Sequence, residues 1–171
     1  MKKWTVIISS SGVITLIFLL FVGETSSVLP LINDITTDTS NPPNFNAVSS
    51  LRRSGDNPVK YGGPEIAARQ KKHYEDIKPI HSNLNSNDAF LKALEIAKIM
   101  GWKIVASDFN SGMIEATDTT RFFRFKDDVV IRITKSEQGS QVDIRSQSRI
   151  GISDLGKNAS RVRTFIQKFN S

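Results

Sequence analysis

The sequence predicts an α+β protein in which an N-terminal apolar helix precedes a two-layer domain. Three observations support this prediction: an uncharged run over residues 4–22, two helical apolar stripes, and alternating apolar residues between the stripes. Helices and an antiparallel meander each have an apolar face, and they can bury these faces against each other. We therefore expect a four-stranded antiparallel meander flanked by two helices and preceded by an extended strap.

The apolar run at residues 4–22 has the length of a membrane-spanning helix. Its nineteen residues would span about 28 Å as a helix, close to the roughly 30 Å of a bilayer core. Lys2 and Lys3 precede it and Glu24 follows, which places the N-terminus in the cytoplasm. A cleaved signal peptide has the same residue order. Residues 1–23 are thus a single-pass anchor or a signal sequence, and the C-terminal domain lies in the periplasm or outside the cell, secreted if cleavage occurs.

Residues 24–80 are expected to form an extended strap with one short helix. Prolines and glycines interrupt any periodicity over most of the segment. A short helix is predicted at 64–74, with Pro64 in its first turn. Apolar residues recur along the segment as if pinning it to a domain surface: Leu29, Leu31, Ile32, Ile35, Phe45, Val48, Leu51 and Tyr61.

Residues 81–171 hold the remaining elements of the predicted domain. A helix is expected at 86–100, where an apolar stripe ends at Gly101. A final helix at 158–169 has a second apolar stripe. Between them, period-two alternation predicts strands at 102–109, at 113–117 with a continuation over 119–125, at 129–134 and at 141–149. Turns are expected at 126–128 and 136–140, and Phe123 and Phe125 are expected to face the core.

Composition excludes several classes of function. The chain has no cysteine, so it has no disulfide, thiolate metal site or cysteine nucleophile. His73 and His81 are the two histidines, and neither has a partner at ligand spacing. The net charge of +6 is concentrated in residues 121–171, which suggests a local anionic partner. Acidic residues are interleaved with the basic ones, so nucleic acid is not an expected partner.

The candidate site lies in this basic C-terminal stretch. Outward-facing strand residues would bring arginines together on the sheet face away from the helices, and we expect that face to be open to water or a partner. Guanidinium groups there could bind a carboxylate or phosphate, aided by backbone N–H groups of the loop at 151–156. The alternative is that the same residues pair with each other as a structural ion-pair network. The candidate binding residues are Arg124, Asp127, Asp128, Arg132, Asp143, Arg145, Ser146, Ser148, Arg149, Asp154, Asn158 and Arg161.

An enzymatic interpretation depends on Asp127 and Asp128. Adjacent carboxylates can hold a divalent cation or act as an acid/base pair, as in a metal-assisted hydrolase. They converge only if they lie in a turn, because neighbouring strand residues point to opposite faces. The sequence has no nucleophile elbow, phosphate loop or dinucleotide fingerprint. We therefore predict no catalytic residues, no metal ligands and no cofactor.

Several phrases in the sequence carry a family resemblance. FRFKDDVVIRI, VDIRSQSRIGISDLGKNASRVRTFI, MGWKIV and MIEAT resemble the bacterial and chloroplast family of domain of unknown function 1499, DUF1499. The resemblance covers about residues 34–170. It implies a domain that often follows a signal or membrane segment, and it implies no particular activity.

The sequence therefore predicts an exported, membrane-tethered and non-catalytic binding or interaction module. The membrane would be contacted through residues 4–22. An anionic ligand or a protein partner would bind the arginine-rich sheet face and the glycine-flanked loop.

Overall fold

The computed structural model describes residues 30–121 and 123–171. The predicted anchor or signal sequence lies outside the described residues. The described helices are α1 (Pro64–His73), α2 (Ser86–Ile99), α3 (Lys157–Asn170) and one 3-10 helix (Ala47–Leu51). The strands are β1 (Asp34–Thr36), β2 (Ile80–Ser82), β3 (Lys103–Asp108), β4 (Met113–Thr119), β5 (Lys126–Ser136) and β6 (Gly139–Ser148).

The six strands form one antiparallel sheet, which confirms the mixed helix and sheet prediction. The path runs β1-β6-β5-β4-β3, and β2 pairs with a second part of β6. The predicted meander corresponds to β3 through β6. The prediction of four strands was two short: β1 lies in the segment expected to be an extended strap, and β2 spans the boundary between that segment and the predicted domain. Three-residue strands carry too little alternation to be recognised in a sequence.

Helices α2 and α3 pack on one face of the sheet, as their apolar stripes predict. Ala89, Ala93 and Ala97 of α2 are completely buried, which lets the helix approach the sheet closely. Phe165 of α3 stacks on Trp102 with ring centroids 6.0 Å apart. The main core therefore lies between the helices and the sheet.

The opposite face of the sheet is covered, and the expectation of an open face was wrong. Phe45 and Val48 pack against Val130 of β5 in a second, smaller core. Residues 37–63, a part of the strap predicted at 24–80, cross this face. The name strap refers below to residues 37–63 alone. The strap covers this face because the face combines an apolar patch with charged groups, several of which form hydrogen bonds to the strap.

Two further sequence predictions were wrong near the start of β5. Residues 126–128 are strand rather than turn, and Asp128 pairs with Thr117 on one side and Gln147 on the other. The pattern hid this strand because buried carboxylates occupy positions where apolar residues are expected. Residues 120–121 and 123–125 are loop rather than strand, and Phe123 and Phe125 are 78% and 46% exposed. These two phenylalanines are therefore not core residues.

Within residues 30–121 and 123–171, no helix has both the length and the apolar character needed to span a bilayer.

Candidate functional site

Arg145 and Asp34 form the most buried ion pair on the strap face. Arg145 donates from Nε to Asp34 Oδ1 at 2.9 Å and from Nη2 to Asp34 Oδ2 at 2.8 Å. It also donates to the backbone carbonyls of Pro43 at 3.1 Å and Val59 at 2.8 Å, both in the strap. The Arg145 side chain is 0% exposed. The guanidinium thus binds one carboxylate of β1 and two backbone carbonyls of the strap.

Two aromatic rings of the strap enclose the same guanidinium. Its central carbon lies 4.7 Å from the ring centroid of Phe45 and 5.4 Å from that of Tyr61. Both distances are within the range of a cation–π contact. Burial, with the nearby Asp34 carboxylate, raises the pKa of Tyr61 to about 12. The Tyr61 phenol therefore stays neutral at pH values at which an exposed tyrosine would lose its proton.

Asp128 is the centre of a second cluster on the strap face. Arg149 donates to its carboxylate from Nε at 3.0 Å and from Nη2 at 2.8 Å. Arg52 of the strap donates from Nε at 2.9 Å, and the Thr117 hydroxyl donates at 2.9 Å. Arg149 also donates to the carbonyl of Leu51 at 2.9 Å. Two arginines from different segments thus share one fully buried carboxylate.

Two more carboxylates hold the strap along its length. Asp143 accepts from Arg132 at 2.9 Å and from the Thr37 hydroxyl at 3.2 Å. Arg132 also reaches Asp38 of the strap at 3.1 Å. The Glu115 carboxylate accepts three backbone N–H bonds of 2.9–3.0 Å at the start of the 3-10 helix, from residues 46–48. Sequence reasoning missed Glu115, because a single glutamate in a strand carries no signal of a distant helix end.

Arg161 organises a separate cluster on the helix face. It donates from Nη2 to Asp127 at 2.6 Å, from Nε to Asp118 at 2.8 Å and from Nη1 to the Ser146 hydroxyl at 2.9 Å. Asn158 lies at the centre of this cluster and donates to the Ser148 hydroxyl at 3.0 Å. This network docks the start of α3 on the sheet.

Asp154 closes the loop that leads into α3. Its carboxylate accepts the backbone N–H groups of Gly156 at 2.9 Å and of Asn158. These are N–H groups that the predicted anion site would have used. An internal carboxylate occupies the start of the helix, and burial raises its pKa.

The carboxylates of Asp127 and Asp128 point to opposite faces of β5. Asp127 binds Arg161 on the helix face, and Asp128 binds Arg149 on the strap face. They cannot share one cation in this arrangement. Among the residues that the structure describes, no group of three or more potential ligands is placed to hold a metal ion.

The sequence matches a protein family over most of its length. Residues 34–169 match the family described as "Protein of unknown function (DUF1499)". The chain belongs to the DUF1499 family. No curated protein matches the sequence. In this DUF1499 chain the match begins at β1 and ends in α3, so the strap lies inside the matched region.

An open basic cavity of about 230 Å³ remains at one edge of the DUF1499 domain. Arg124 and Lys126 line it from the loop before β5, and Arg53 lines it from the strap. Within the described part of the chain, none of these three forms an ion pair. We call this cavity the basic pocket, and its lining residues are Arg53, Asp56, Arg124, Phe125, Lys126, Arg149 and Ile150.

The twelve candidate residues therefore divide into two groups. Eleven of them form hydrogen bonds within the fold through their side chains, in the strap-face clusters or around Arg161 and Asp154. Arg124 is the remaining member, and it lies on the exposed loop at the basic pocket. The sequence located the cationic region, but most of its arginines hold the fold together and the exposed cations lie at its edge.

We expect the Arg145–Asp34 pair to behave as one unit in unfolding. Arg145→Met or Asp34→Leu alone should lower the free energy of unfolding by about 3–5 kcal/mol, because each leaves a buried charge unpaired. The double variant should lose less than the sum of the two single losses. Urea denaturation of the full chain in detergent measures all three.

The matched control is Arg163→Met, which breaks a half-exposed pair with Asp76. It should change the free energy of unfolding by only about 0–1 kcal/mol. Equal losses for Arg145→Met and Arg163→Met would contradict the assignment.

We expect Tyr61 to make the stability of the fold sensitive to alkaline pH. Its pKa is about 12 in the folded chain, against about 10 when unfolded. Between these values the unfolded state releases the proton and the folded state keeps it. The contribution of Tyr61 to stability is therefore complete below about pH 10 and is lost as pH rises towards 12.

Urea midpoints of the wild type and Tyr61→Phe, compared on either side of pH 10, measure this effect. The wild type should lose stability relative to Tyr61→Phe as pH rises. A difference between the two proteins that does not change with pH would refute the prediction.

Proposed function

We propose that this DUF1499 protein is an exported, membrane-tethered and non-catalytic module that binds an anionic group in the basic pocket. The observation that carries the proposal is the contrast between two sets of cations. Buried carboxylates form ion pairs with Arg145, Arg149 and Arg161. Arg53 and Arg124 are exposed at the basic pocket and form no ion pair within the described part of the chain.

The chemistry of the pocket favours an anion. Guanidinium groups bind carboxylate and phosphate through paired N–H donors, and an ammonium adds a compact positive charge. Asp56 is the acidic residue in the lining, and one of its oxygens already accepts the backbone N–H of Arg53 at 3.0 Å. Arg149 is bound to Asp128, so the free cations of the lining, among the described residues, are Arg53, Arg124 and Lys126, against the one carboxylate of Asp56.

Other parts of the described chain support this function less well. The cavity beside α1, about 280 Å³, is lined by charges of both signs, Lys71, Lys78 and Glu75. The metal-assisted hydrolase hypothesis is not carried forward, because the carboxylates of Asp127 and Asp128 diverge. The occupant of the basic pocket would be a small anion or an anionic group on a larger partner.

Export and tethering are supported by the uncharged run at residues 4–22. This run has the length of a bilayer span, and Lys2 and Lys3 precede it. A domain carried by such a segment is held at the outer side of the membrane.

Inorganic phosphate is a direct probe of the basic pocket. We expect it to shift the amide resonances of Arg53, Arg124 and Lys126 in the full chain, at constant ionic strength in detergent micelles. Arg124→Gln with Lys126→Gln should weaken phosphate binding about tenfold or more, because each charged hydrogen bond contributes about 1.5–3 kcal/mol. Lys135→Gln, at the other end of β5, is the control. Equal phosphate affinity in all variants would reject the pocket as the site.

The proposed topology predicts the activity of fused reporters. A reporter enzyme that is active only in the periplasm, fused after Ser171, should be active in a Gram-negative host. Replacing Lys2 and Lys3 by Glu should reduce that activity, because the charge bias sets the orientation. An active cytoplasmic reporter at the same position would overturn the topology.

A further inference from the structure

Exposed apolar side chains are concentrated at one end of the sheet. Phe123, Ile152 and Leu155 are each at least 74% exposed, and Leu31 is 58% exposed. Within the described residues, six of the ten exposed large hydrophobic side chains belong to segments at this end. Exposed apolar side chains gathered in this way mark interaction sites rather than random surface.

The strand register places these segments together. Asp34 pairs with Gln147, Asp127 pairs with Ser148, and Thr119 pairs with Lys126. The chain before β1, the loop before β5 and the loop after β6 therefore leave the sheet at the same end, which we call the loop end.

Hydrogen bonds hold the loop end together. Asp154 donates its backbone N–H to Ile32 at 3.3 Å, and the Ser153 hydroxyl donates to Pro30 at 3.4 Å. Asn57 Nδ2 donates to Gly151 at 2.9 Å. These hydrogen bonds hold the chain before β1, the strap and the loop after β6 against each other at the loop end.

Basic residues lie in or beside the segments that carry these apolar side chains. Arg53, Arg121, Arg124, Lys126 and Lys157 are exposed there. Within residues 30–121 and 123–171, none of them forms an ion pair. Apolar side chains ringed by unpaired cations fit a bilayer with anionic headgroups, where apolar groups enter the boundary and cations meet the phosphates.

The apolar run of the sequence connects to this end of the domain. Pro30 lies at the loop end, and seven residues, 23–29, separate it from the run at 4–22. A chain of that length spans at most about 28 Å when fully extended. A membrane-spanning run would therefore hold the loop end, and not the opposite end, close to the bilayer.

The opposite end of the sheet differs from the loop end in its charges and in its exposed apolar residues. Its turns carry Asp108, Lys135 and Glu137, charges of both signs. Its exposed aromatic residue, Phe109, packs edge-on against Phe90 with ring centroids 5.1 Å apart. This end offers neither a basic ring nor a projecting apolar surface.

We infer that the loop end is a membrane-docking surface that seats the domain on an anionic bilayer. The exposed side chains of Phe123, Ile152 and Leu155 enter the lipid boundary, and Arg124 and Lys126 contact headgroup phosphates. This inference rests on the proposed function and names the source of the anion that the basic pocket binds.

The absence of cysteine makes a site-specific test direct. Single substitutions Phe123→Cys, Ile152→Cys and Glu137→Cys carry an environment-sensitive fluorophore on the full chain, reconstituted in phosphatidylcholine vesicles with or without phosphatidylglycerol. A quencher attached to the lipid chains should quench the labels at 123 and 152 in the phosphatidylglycerol vesicles. The label at Glu137→Cys, at the opposite end, should not be quenched.

Charge reversal tests the role of the basic ring. Arg124→Glu and Lys126→Glu should each weaken docking about tenfold, because each basic residue near an anionic surface contributes about 1 kcal/mol and its reversal adds repulsion. Lys135→Glu is the matched control, about 30 Å away along the same strand. It should leave quenching at the Ile152→Cys position unchanged.

Three results would overturn the inference. Labels equally exposed to water at both ends in phosphatidylglycerol vesicles would exclude docking, and equal quenching in neutral vesicles would exclude an anionic partner. Protection from an aqueous quencher without quenching by lipid would place a second copy of the chain on the surface. Retained phosphate shifts at the basic pocket in any of these cases would leave the proposed function standing.

Discussion

The buried ion pair between Arg145 and Asp34 fixes how the strap and the sheet fit together. Removing both charges from water is costly, and the loss is offset only when every remaining donor finds a partner. Two of the donors are satisfied by the carbonyls of Pro43 and Val59 in the strap. The sheet face therefore cannot be complete until the strap lies over it. One ion pair thus couples β1, β6 and the segment between β1 and α1.

The same principle repeats along the strap face. Asp128, Asp143 and Glu115 each accept hydrogen bonds from groups in or beside the strap. Shifting the strap by one residue would leave several buried charges unpaired, and each unpaired charge is strongly unfavourable. The network therefore selects one position for a segment that has few apolar contacts of its own. Its arginines serve the architecture of the DUF1499 domain.

This use of arginine separates structural from functional charge. Several of the basic residues in 121–171 form ion pairs with buried carboxylates. Other basic residues of this stretch are exposed at the loop end of the sheet. Arg124 and Lys126 are among these exposed residues, and the projecting Phe123 and Ile152 lie at the same end. The sheet is covered on both faces, and its loop end carries these basic and apolar side chains. The proposals of anion binding and of membrane docking both start from this edge.

Local sequence patterns were sufficient to predict helices α2 and α3, most of the meander, the family and the location of the cationic stretch. These follow from local periodicity and short motifs, which one segment carries alone. The carboxylate partner of each arginine is known only from the folded chain, since Arg145 and Asp34 are 111 residues apart. The fold also leaves Phe123 exposed to solvent. It places Asp127 and Asp128 in a strand that the sequence did not reveal, because buried ion pairs break the apolar alternation by which strands are recognised. Periodicity reports burial of apolar groups, and it cannot report burial of charges whose partners lie far away in the chain.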